Sequence, residues 1–438
     1  MESAPHPAFF KPAFAGSSIR RLLPDLGPWV ADEPYVQLLF DERNEGDCLL
    51  AWGGKEVWEE RGVTPDLPER IADFVRNRWV FGWIGYDLKN AIEDLQSARP
   101  DELGFPVVAL FEPRILLRWG VSTGGAVEVL AGGDEVECGA LREAIARAGA
   151  LAAEEVPPAP GIAMKPRWDA SKYRQRVARA KKHIQQGDIY EINLCAEWFA
   201  RKPLPDPWGT FVRLQDLTRA PFGGFTRMGP CYALCGSPER FLQRIGDLLR
   251  SQPIKGTVRR SEDPEEDREL AAGLALSKKE RAENVMIVDL VRNDLSRVAA
   301  AGSVHVPELC GIHTFRTVHQ MISTVECRLQ AGKGLADVLR ATFPMGSMTG
   351  APKIRAMQII DDLESNQRGL YSGTMGYFAP NGDFDLNVMI RSIFYHAEKG
   401  RVSLQVGGAI TALSDAEAEW EECNIKAQSL LETLQGHG

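Results

Sequence analysis

Closely spaced strand-like segments near the C-terminal end most constrain the fold of this chain. Leu370–Phe378, Asp383–His396 and Arg401–Val406 follow one another with only short gaps between them. These gaps are too short for the crossover helix that joins parallel strands, so neighbouring strands are expected to pair antiparallel. Other segments have a helical pattern, for example Ser277–Ser296 and Ser414–Leu434. The combination predicts an α+β protein built on an antiparallel sheet.

A proline-rich segment divides the chain into two unequal parts. Residues 154–161 read EEVPPAPG, and three prolines so close together cannot continue a helix or a sheet. We therefore predict a β-rich N-terminal subdomain at 1–153, a linker at 154–161 and a catalytic domain at 162–438. We expect the two parts to share one hydrophobic core.

Composition narrows the range of partners. The 51 basic and 60 acidic residues give a net charge of −9, which disfavours non-specific binding to nucleic acid. The chain has no apolar run of membrane-spanning length, and its N-terminus does not resemble a secretory signal. The eight cysteines form no CxxC pair, so we expect reduced thiols and a cytoplasmic protein without membrane contact.

Two pairs of glutamates have the spacing of a cation site. Glu280 and Glu283 are three residues apart, as are Glu419 and Glu422, so each pair lies on one face of its predicted helix. Two such helices facing each other would offer four hard oxygen donors, which suit Mg²⁺. The alternative is that the glutamates are simply solvated. Against it, both pairs adjoin apolar helix segments.

Lys255 lies in the segment QPIKGT, where a preceding proline and a following glycine predict a rigid turn. One interpretation is an ordinary surface lysine. The other is a lysine held in a pocket, where burial or nearby cations lower its pKa and make it a nucleophile.

Three further segments contain candidate binding residues. In the loop 343–353, Ser347 and Thr349 precede a predicted helix and can bind a carboxylate or simply cap the helix. The stretch 406–410 can present backbone amides or form a bulge. His319, in a predicted strand, has a structural alternative as well. Phosphate-binding, dinucleotide and serine-hydrolase motifs are absent from the sequence.

Seven segments carry a wider resemblance. In chain order they are GDIYEINLC, GSPERF, PIKGT, RAENVMIVDLVRNDL, FPMGSMTGAPKIRAM, RGLYSGTMGY and AITALSDAEAEWEECNIKA. Together they resemble the chorismate-utilising enzymes, which include anthranilate, aminodeoxychorismate, isochorismate and salicylate synthases. The resemblance covers about residues 165–435. It implies a two-layer antiparallel β-sandwich flanked by helices, with the active site between the layers.

The resemblance also implies ligands for a metal ion and for the substrate. Mg²⁺ would bridge the glutamates and the ring carboxylate of chorismate, with Glu283 and Glu422 as principal ligands and Glu280 and Glu419 close by. His319 would lie near the departing hydroxyl. The other substrate contacts would come from Ser347, Thr349, Gly350, Tyr371, Arg391, Lys426 and the amides of Gly407, Gly408 and Ala409.

Lys255 distinguishes subfamilies within this resemblance. Anthranilate synthases have PIAGT at this position, whereas aminodeoxychorismate synthases commonly have PIKGT. The implied catalytic group contains Lys255, Thr257, His319 and Glu191. The lysine amine would attack ring C2 as the C4 hydroxyl leaves, and ammonia would then add at C4 and expel the lysine. Members that use water have a lysine at the position of Glu191, and aminating members commonly have glutamine there.

The expected activity is therefore C4 amination of chorismate for 4-aminobenzoate and folate synthesis, with ammonia from a separate glutaminase subunit. One alternative is the large subunit of anthranilate synthase. An alternative of another class is a non-catalytic paralogue that binds chorismate or a partner.

Overall fold

The computed structural model describes residues 23–41, 47–120, 123, 126–134, 136–141, 143, 161–315 and 318–435. The helices are Leu23–Asp32 (α1), Leu67–Phe74 (α2), Lys89–Ile92 (α3), Ala170–Gln185 (α4), Pro207–Thr218 (α5), Pro264–Leu276 (α6), Lys278–Ser296 (α7), Leu335–Thr342 (α8), Lys353–Leu363 (α9) and Ala416–Leu434 (α10). Within these ranges, no helix is both long and apolar enough to cross a membrane.

Strands make up most of the remaining regular structure. They are Tyr35–Asp41 (β1), Asp47–Glu60 (β2), Val80–Ile84 (β3), Val108–Trp119 (β4), Glu128–Gly132 (β5), Lys165–Pro166 (β6), Glu191–Arg201 (β7), Phe222–Met228 (β8), Cys231–Ser237 (β9), Arg240–Ile245 (β10), Leu248–Gln252 (β11), Ile254–Arg259 (β12), His305–Thr314 (β13), Val318–Arg328 (β14), Gly350–Ala351 (β15), Thr374–Phe378 (β16), Phe384–Asn387 (β17), Ser392–His396 (β18) and Arg401–Ile410 (β19).

The strands form one continuous antiparallel series. Its order is β6–β7–β19–β18–β9–β8–β1–β2–β4–β3–β16–β17–β10–β11–β14. Strands β12 and β13 also pair with β14, while β5 joins β4 and β15 joins β7. The predicted α+β fold with an antiparallel sheet is confirmed.

The series curls over on itself to make two layers. In β9, Leu234 belongs to one hydrophobic cluster, while its neighbours Ala233 and Cys235 belong to another. This alternation is expected because successive side chains of a strand point to opposite faces. The second cluster also contains Trp83 of β3 and Met375 of β16, from the far half of the series. The two halves therefore pack face to face, as in the predicted β-sandwich.

Both predicted parts of the chain supply strands to this sandwich. Strand β3 pairs with β16, where Trp83 lies opposite Met375, and β1 pairs with β8. The predicted linker falls almost entirely at 154–160, outside the described residues. The position of the boundary therefore stays a prediction.

Two predicted strands are interrupted near the site. Leu370–Phe378 is a strand only from Thr374 onward. Asp383–His396 is two strands, β17 and β18, separated by a segment that contains Arg391 with φ of 51°. Positive φ is uncommon for a non-glycine residue and departs from the regular strand conformation.

The two glutamate-bearing helices begin with well-formed caps. The Ser277 hydroxyl accepts a hydrogen bond from the Glu280 amide at the start of α7. The Asp415 carboxylate accepts hydrogen bonds from the Glu417 and Ala418 amides at the start of α10. These side chains satisfy amides that have no partner within the helix, so each glutamate pair lies in a stable first or second turn.

Candidate active site

Lys255 lies in a pocket and not on the surface. Its Nζ donates a hydrogen bond to Glu191 Oε1 at 3.1 Å, across the space between β12 and the start of β7. The side chains of Lys255 and Glu191 are 11% and 2% exposed, respectively. Gly256, which follows the lysine, has φ of 81° and so gives the turn a conformation that favours glycine. The surface-lysine interpretation is therefore wrong.

The charge environment of Lys255 differs from the one expected of an activated amine. Burial lowers the pKa of Lys255, but Glu191, Glu283 and Glu239 raise it more, so its pKa lies above the ordinary value. The predicted lowering of this pKa is thus wrong. The reason is that the groups packed around the lysine are carboxylates, which favour its charged form.

Glu239 is a member of this pocket that sequence reasoning missed. It is buried, and Ser347 Oγ donates a hydrogen bond to its Oε1 at 2.8 Å. Burial raises the pKa of Glu239 to about 7, although Ser347 and Lys255 act in the opposite direction. The residue belongs to the segment GSPERF, so the resemblance contained a signal for it. We call Lys255, Glu191, Glu239 and Ser347 the lysine pocket.

The loop before α9 is fixed against the strand that carries Glu191. Gly350 has φ of 149°, and a Cβ there would lie 2.2 Å from the Glu191 carbonyl oxygen, so only glycine fits. Ser347 and Thr349 are buried, and Thr349 Oγ1 donates to the Gly346 carbonyl at 3.3 Å. The loop's hydroxyls therefore face the interior and do not cap α9, which begins at Lys353.

Arg368 holds this loop in place and is a second residue that the sequence reasoning missed. It is fully buried, and its guanidinium donates to the carbonyls of Met348 at 2.6 Å and Asn193 at 2.9 Å. Glu364 balances its charge at 2.7 Å. The Asn193 side chain also donates to the Ser347 carbonyl at 3.0 Å. Buried hydrogen bonds from Arg368 and Asn193 thus fix the loop that carries Ser347 of the lysine pocket.

Arg391 and Tyr371 are close enough to interact electrostatically. Burial lowers the pKa of Arg391, an effect that Tyr371 and Glu422 partly offset. Within the described chain, no hydrogen bond from its guanidinium to another residue is found. Its backbone φ of 51° is strained for a non-glycine residue. A partly buried guanidinium held in this way is suited to bind a carboxylate.

The Gly407–Ala409 stretch is a regular strand segment. It pairs with β7 without a shift in register, so the bulge interpretation is wrong. On its other side, β18 pairs only as far as Leu404, so no described strand covers this edge. A Cβ at Gly408 would lie 3.1 Å from Glu419 Oε2. The strand therefore brings an uncovered backbone edge close to the glutamates.

The four predicted glutamates lie on α7 and α10. Glu283 and Glu419 are buried, whereas Glu280 and Glu422 are partly exposed. Lys426 Nζ donates to Glu422 Oε1 at 2.5 Å and to the Gly407 carbonyl at 3.0 Å. Lys426 therefore lies beside the glutamates with its ammonium already engaged, and its contact with substrate stays a prediction.

A third missed residue, Lys279, lies between the two helices. Its Nζ is 3.9 Å from Glu283 Oε1 and 3.8 Å from Glu419 Oε1, so it bridges one glutamate of each pair. The glutamates raise the pKa of Lys279 despite the opposing effect of burial. We call α7 and α10 with their four glutamates and Lys279 the glutamate helices.

The glutamates have the chemistry to bind a divalent cation, but their side chains are not arranged as a complete set of metal ligands. Among the residues that the structure describes, no group of three or more acidic, histidine or cysteine side chains is arranged to hold a metal ion. The four-ligand set therefore stays a prediction, although all four glutamates lie close enough to Lys279 to raise its pKa. However, Glu283 Oε1 is buried without a hydrogen-bond partner, and burial raises the pKa of this residue to about 7. A buried, under-compensated carboxylate oxygen suits a hard cation such as Mg²⁺.

His319 and Thr257 are not drawn into the lysine pocket. The two ring nitrogens of His319 contact Asp267 Oδ1 at 3.0 Å and Thr314 Oγ1 at 2.9 Å. This arrangement supports the structural alternative for the histidine. The side chain of Thr257 is exposed on β12.

The fold places the chain in a structural class with known enzymes. It matches the crystal structure of anthranilate synthase component I from Streptococcus pneumoniae with a TM-score of 0.77 and 25% identity, covering 88% of this chain and 92% of that one. It also matches the menaquinone-specific isochorismate synthase of Escherichia coli with a TM-score of 0.73 and 19% identity, covering 98% and 94%.

Sequence comparison gives the family. The family model of chorismate binding enzymes matches residues 24–432, and the chain belongs to this family. It is 34% identical to aminodeoxychorismate synthase component 1 of Escherichia coli over 92% of this chain and 91% of that protein. It is 36% identical to the same component of Salmonella typhimurium over 85% and 80%. The enzyme family expected from the sequence motifs is confirmed.

Proposed function

We propose that the protein aminates chorismate at C4 to give 4-amino-4-deoxychorismate, with Lys255 as the nucleophile. The observation that supports this most is the buried contact between Lys255 and Glu191, beside a second carboxyl group at Glu239. A buried lysine beside proton-accepting and proton-donating groups is suited to covalent catalysis. The aminodeoxychorismate synthases among its relatives support the same reaction.

The proposed reaction has two displacements. In the first, the Lys255 nitrogen bonds to ring C2, the double bond shifts, and the C4–oxygen bond breaks. In the second, ammonia bonds to C4, the double bond shifts back, and the C2–nitrogen bond to Lys255 breaks. The sum is chorismate plus ammonia giving the 4-amino product plus water, with the enolpyruvyl group retained.

We assign the two proton transfers of the reaction to carboxyl groups of the lysine pocket. Lys255 must lose a proton before it attacks, and Glu191 accepts its hydrogen bond at 3.1 Å, so Glu191 takes that proton. The departing hydroxyl needs a proton, and Glu239, with a pKa of about 7, is partly protonated near neutral pH. We assign this step to Glu239 and not to His319, whose ring nitrogens both have other partners.

We assign binding of the substrate carboxylates to Arg391 and to the edge of β19. Arg391 provides an uncommitted guanidinium, and the uncovered edge of β19 provides backbone amides. Glu283 and Glu422, with Glu280 and Glu419 beside them, would hold Mg²⁺. When bound, the ion would supply positive charge that neutralises a substrate carboxylate next to these glutamates.

The ammonia is proposed to come from a separate glutaminase subunit. Support comes from the names of the relatives, which are designated component 1. Synthesis of 4-aminobenzoate for folate, and a cytoplasmic location, are proposed on the same basis as the reaction.

Product analysis tests the proposal. Purified protein is incubated with chorismate, Mg²⁺ and ammonium at mildly alkaline pH, with and without aminodeoxychorismate lyase, and the products are read by mass spectrometry. We expect 4-aminobenzoate only when the lyase is present. Anthranilate and pyruvate without the lyase would identify an anthranilate synthase instead. Unchanged chorismate, with ammonium and with a glutaminase subunit, would support the non-catalytic alternative.

A further inference from the structure

Lys279 has no role in the reaction proposed above. Its ammonium lies between Glu283 on α7 and Glu419 on α10, at 3.9 and 3.8 Å from their Oε1 atoms. These two carboxylates are the more buried members of the two glutamate pairs. A positive charge from the chain itself therefore lies between the oxygens that would hold Mg²⁺.

The contacts of Lys279 are loose. Both distances exceed that of a hydrogen bond, and the Lys279 side chain is 51% exposed. Lys426 provides the contrast on the same pair of helices, since it contacts Glu422 at 2.5 Å and is also fixed by the Gly407 carbonyl. A half-exposed lysine with a flexible stem and no direct hydrogen bond can leave its position at low cost.

Without Lys279, these two buried carboxylates would lose the cation that lies between them, leaving Lys255 near Glu283 and Lys426 near Glu419. Burial of like charges is unfavourable, and an ammonium between them relieves the repulsion. Glu283 Oε1 still has no hydrogen-bond partner, so Lys279 compensates its charge without satisfying its oxygen. The arrangement suits a cation that keeps the helices together but remains easy to replace.

We propose that Lys279 is a displaceable internal cation, which holds the position between Glu283 and Glu419 until a divalent ion replaces it. Lys279 is in this sense a positioning residue and not a metal ligand. Its presence weakens metal binding, because the ion must displace it, and in return stabilises the metal-free protein. The inference rests on the Mg²⁺ site of the proposed function.

Direct metal titration tests the inference without reference to activity. Binding of Mn²⁺, a spectroscopic substitute for Mg²⁺, is measured by electron paramagnetic resonance on the full-length wild-type, Lys279→Met and Lys279→Arg proteins. Lys278→Met is the matched control, since Lys278 is the exposed neighbour and carries the same charge. We expect Lys279→Met to bind Mn²⁺ about fivefold or more tightly than wild type, as for loss of an ion pair at a partly exposed site. Lys279→Arg and Lys278→Met should bind as wild type does.

Thermal unfolding gives a second readout that a merely structural lysine would not produce. Without metal, Lys279→Met should melt below the wild type, because Glu283 and Glu419 lose the cation that lies between them. At saturating Mn²⁺ the two proteins should melt together. The rise in melting temperature caused by metal should therefore be larger in Lys279→Met, since tighter binding gives greater stabilisation.

The outcomes separate this inference from the proposed function. Equal or weaker Mn²⁺ binding by Lys279→Met would overturn the inference, and if Glu283→Gln abolished binding, the metal site itself would stand. An equal gain in Lys278→Met would also overturn it, because a general charge effect would then suffice. Absence of binding in every variant, wild type included, would overturn both the inference and the proposed Mg²⁺ site.

Discussion

The lysine pocket and the glutamate helices both place a lysine among carboxylates, yet they do so differently. In the pocket, Lys255 contacts Glu191 directly at 3.1 Å, and its side chain is 11% exposed. On the helices, Lys279 lies 3.8 to 3.9 Å from its carboxylates and is 51% exposed. One lysine is fixed by a buried hydrogen bond, and the other is held loosely at the edge of solvent.

The difference shows how burial determines what a charged cluster can do. In a low-dielectric interior each charge needs a direct partner, and the pocket meets this need through Glu191 and through the support built on Arg368. Near solvent the same charges interact weakly, so their partners can exchange. The fixed geometry of the pocket suits the covalent chemistry that we propose for it, whereas the looser contacts of the helices suit the cation exchange that we propose there.

The largest expected effect is on the pocket. Lys255→Ala removes the proposed nucleophile and should reduce aminodeoxychorismate formation at least about 10³-fold. Lys255→Arg is the matched control, because it keeps a cation beside Glu191 but not a nucleophilic amine, and it should be as inactive as Lys255→Ala. Product quantification by mass spectrometry gives both rates. Normal aminodeoxychorismate production by Lys255→Ala would show that Lys255 is not the nucleophile.

The next effect is on the glutamate helices. Glu283→Gln and Glu422→Gln should each lower the rate about 10²-fold at limiting Mg²⁺, because each removes a proposed charged donor. Glu421→Gln, an exposed neighbour on α10, is the control and should behave as wild type. Rates are compared across a Mg²⁺ titration. Wild-type rates for either variant at limiting Mg²⁺ would exclude that residue as a ligand.

A smaller effect concerns stability and pH. The pKa of Glu239 is raised from 4.5 to about 7, so the folded protein binds more protons than the unfolded chain between these pH values. Stability from this group is therefore lost as pH rises through that window. Glu239→Gln has no buried carboxyl group to ionise. Between pH 5 and pH 8, its free energy of unfolding should therefore rise by about 2 kcal/mol relative to that of the wild type.

Urea unfolding at the two pH values measures this difference. Glu262→Gln, at an exposed position, is the control and should show no such gain. An unchanged difference between wild type and Glu239→Gln from pH 5 to pH 8 would show that Glu239 ionises normally. The pocket would then lack its proposed proton donor.

The sequence predicted the local features of both regions well. The expected helix Ser277–Ser296 is observed as Lys278–Ser296, and the strand predicted around His319 is observed as Val318–Arg328. These segments have strong periodic patterns and capping residues, which depend only on neighbouring residues. The glutamate pairs followed from the same helical spacing.

Contacts between distant segments could not be predicted in this way. The partners of Lys255 come from β7 and from the residue before β10, and Lys279 reaches a glutamate on the last helix. The break at Arg391 depends on a left-handed backbone conformation that a strand-like pattern does not reveal. The direction of the Lys255 pKa shift was wrong for the same reason, because it depends on which charges tertiary packing brings close.

Covalent trapping shows whether Lys255 forms a bond to the substrate ring. The protein is incubated with chorismate and Mg²⁺ without ammonia, digested, and its peptides are analysed by mass spectrometry. We expect an adduct with the mass of chorismate minus water on the peptide that contains Lys255. It should be absent from Lys255→Ala and should be released as aminodeoxychorismate when ammonium is added. An unmodified Lys255 peptide from protein that aminates chorismate normally once ammonium is present would contradict it.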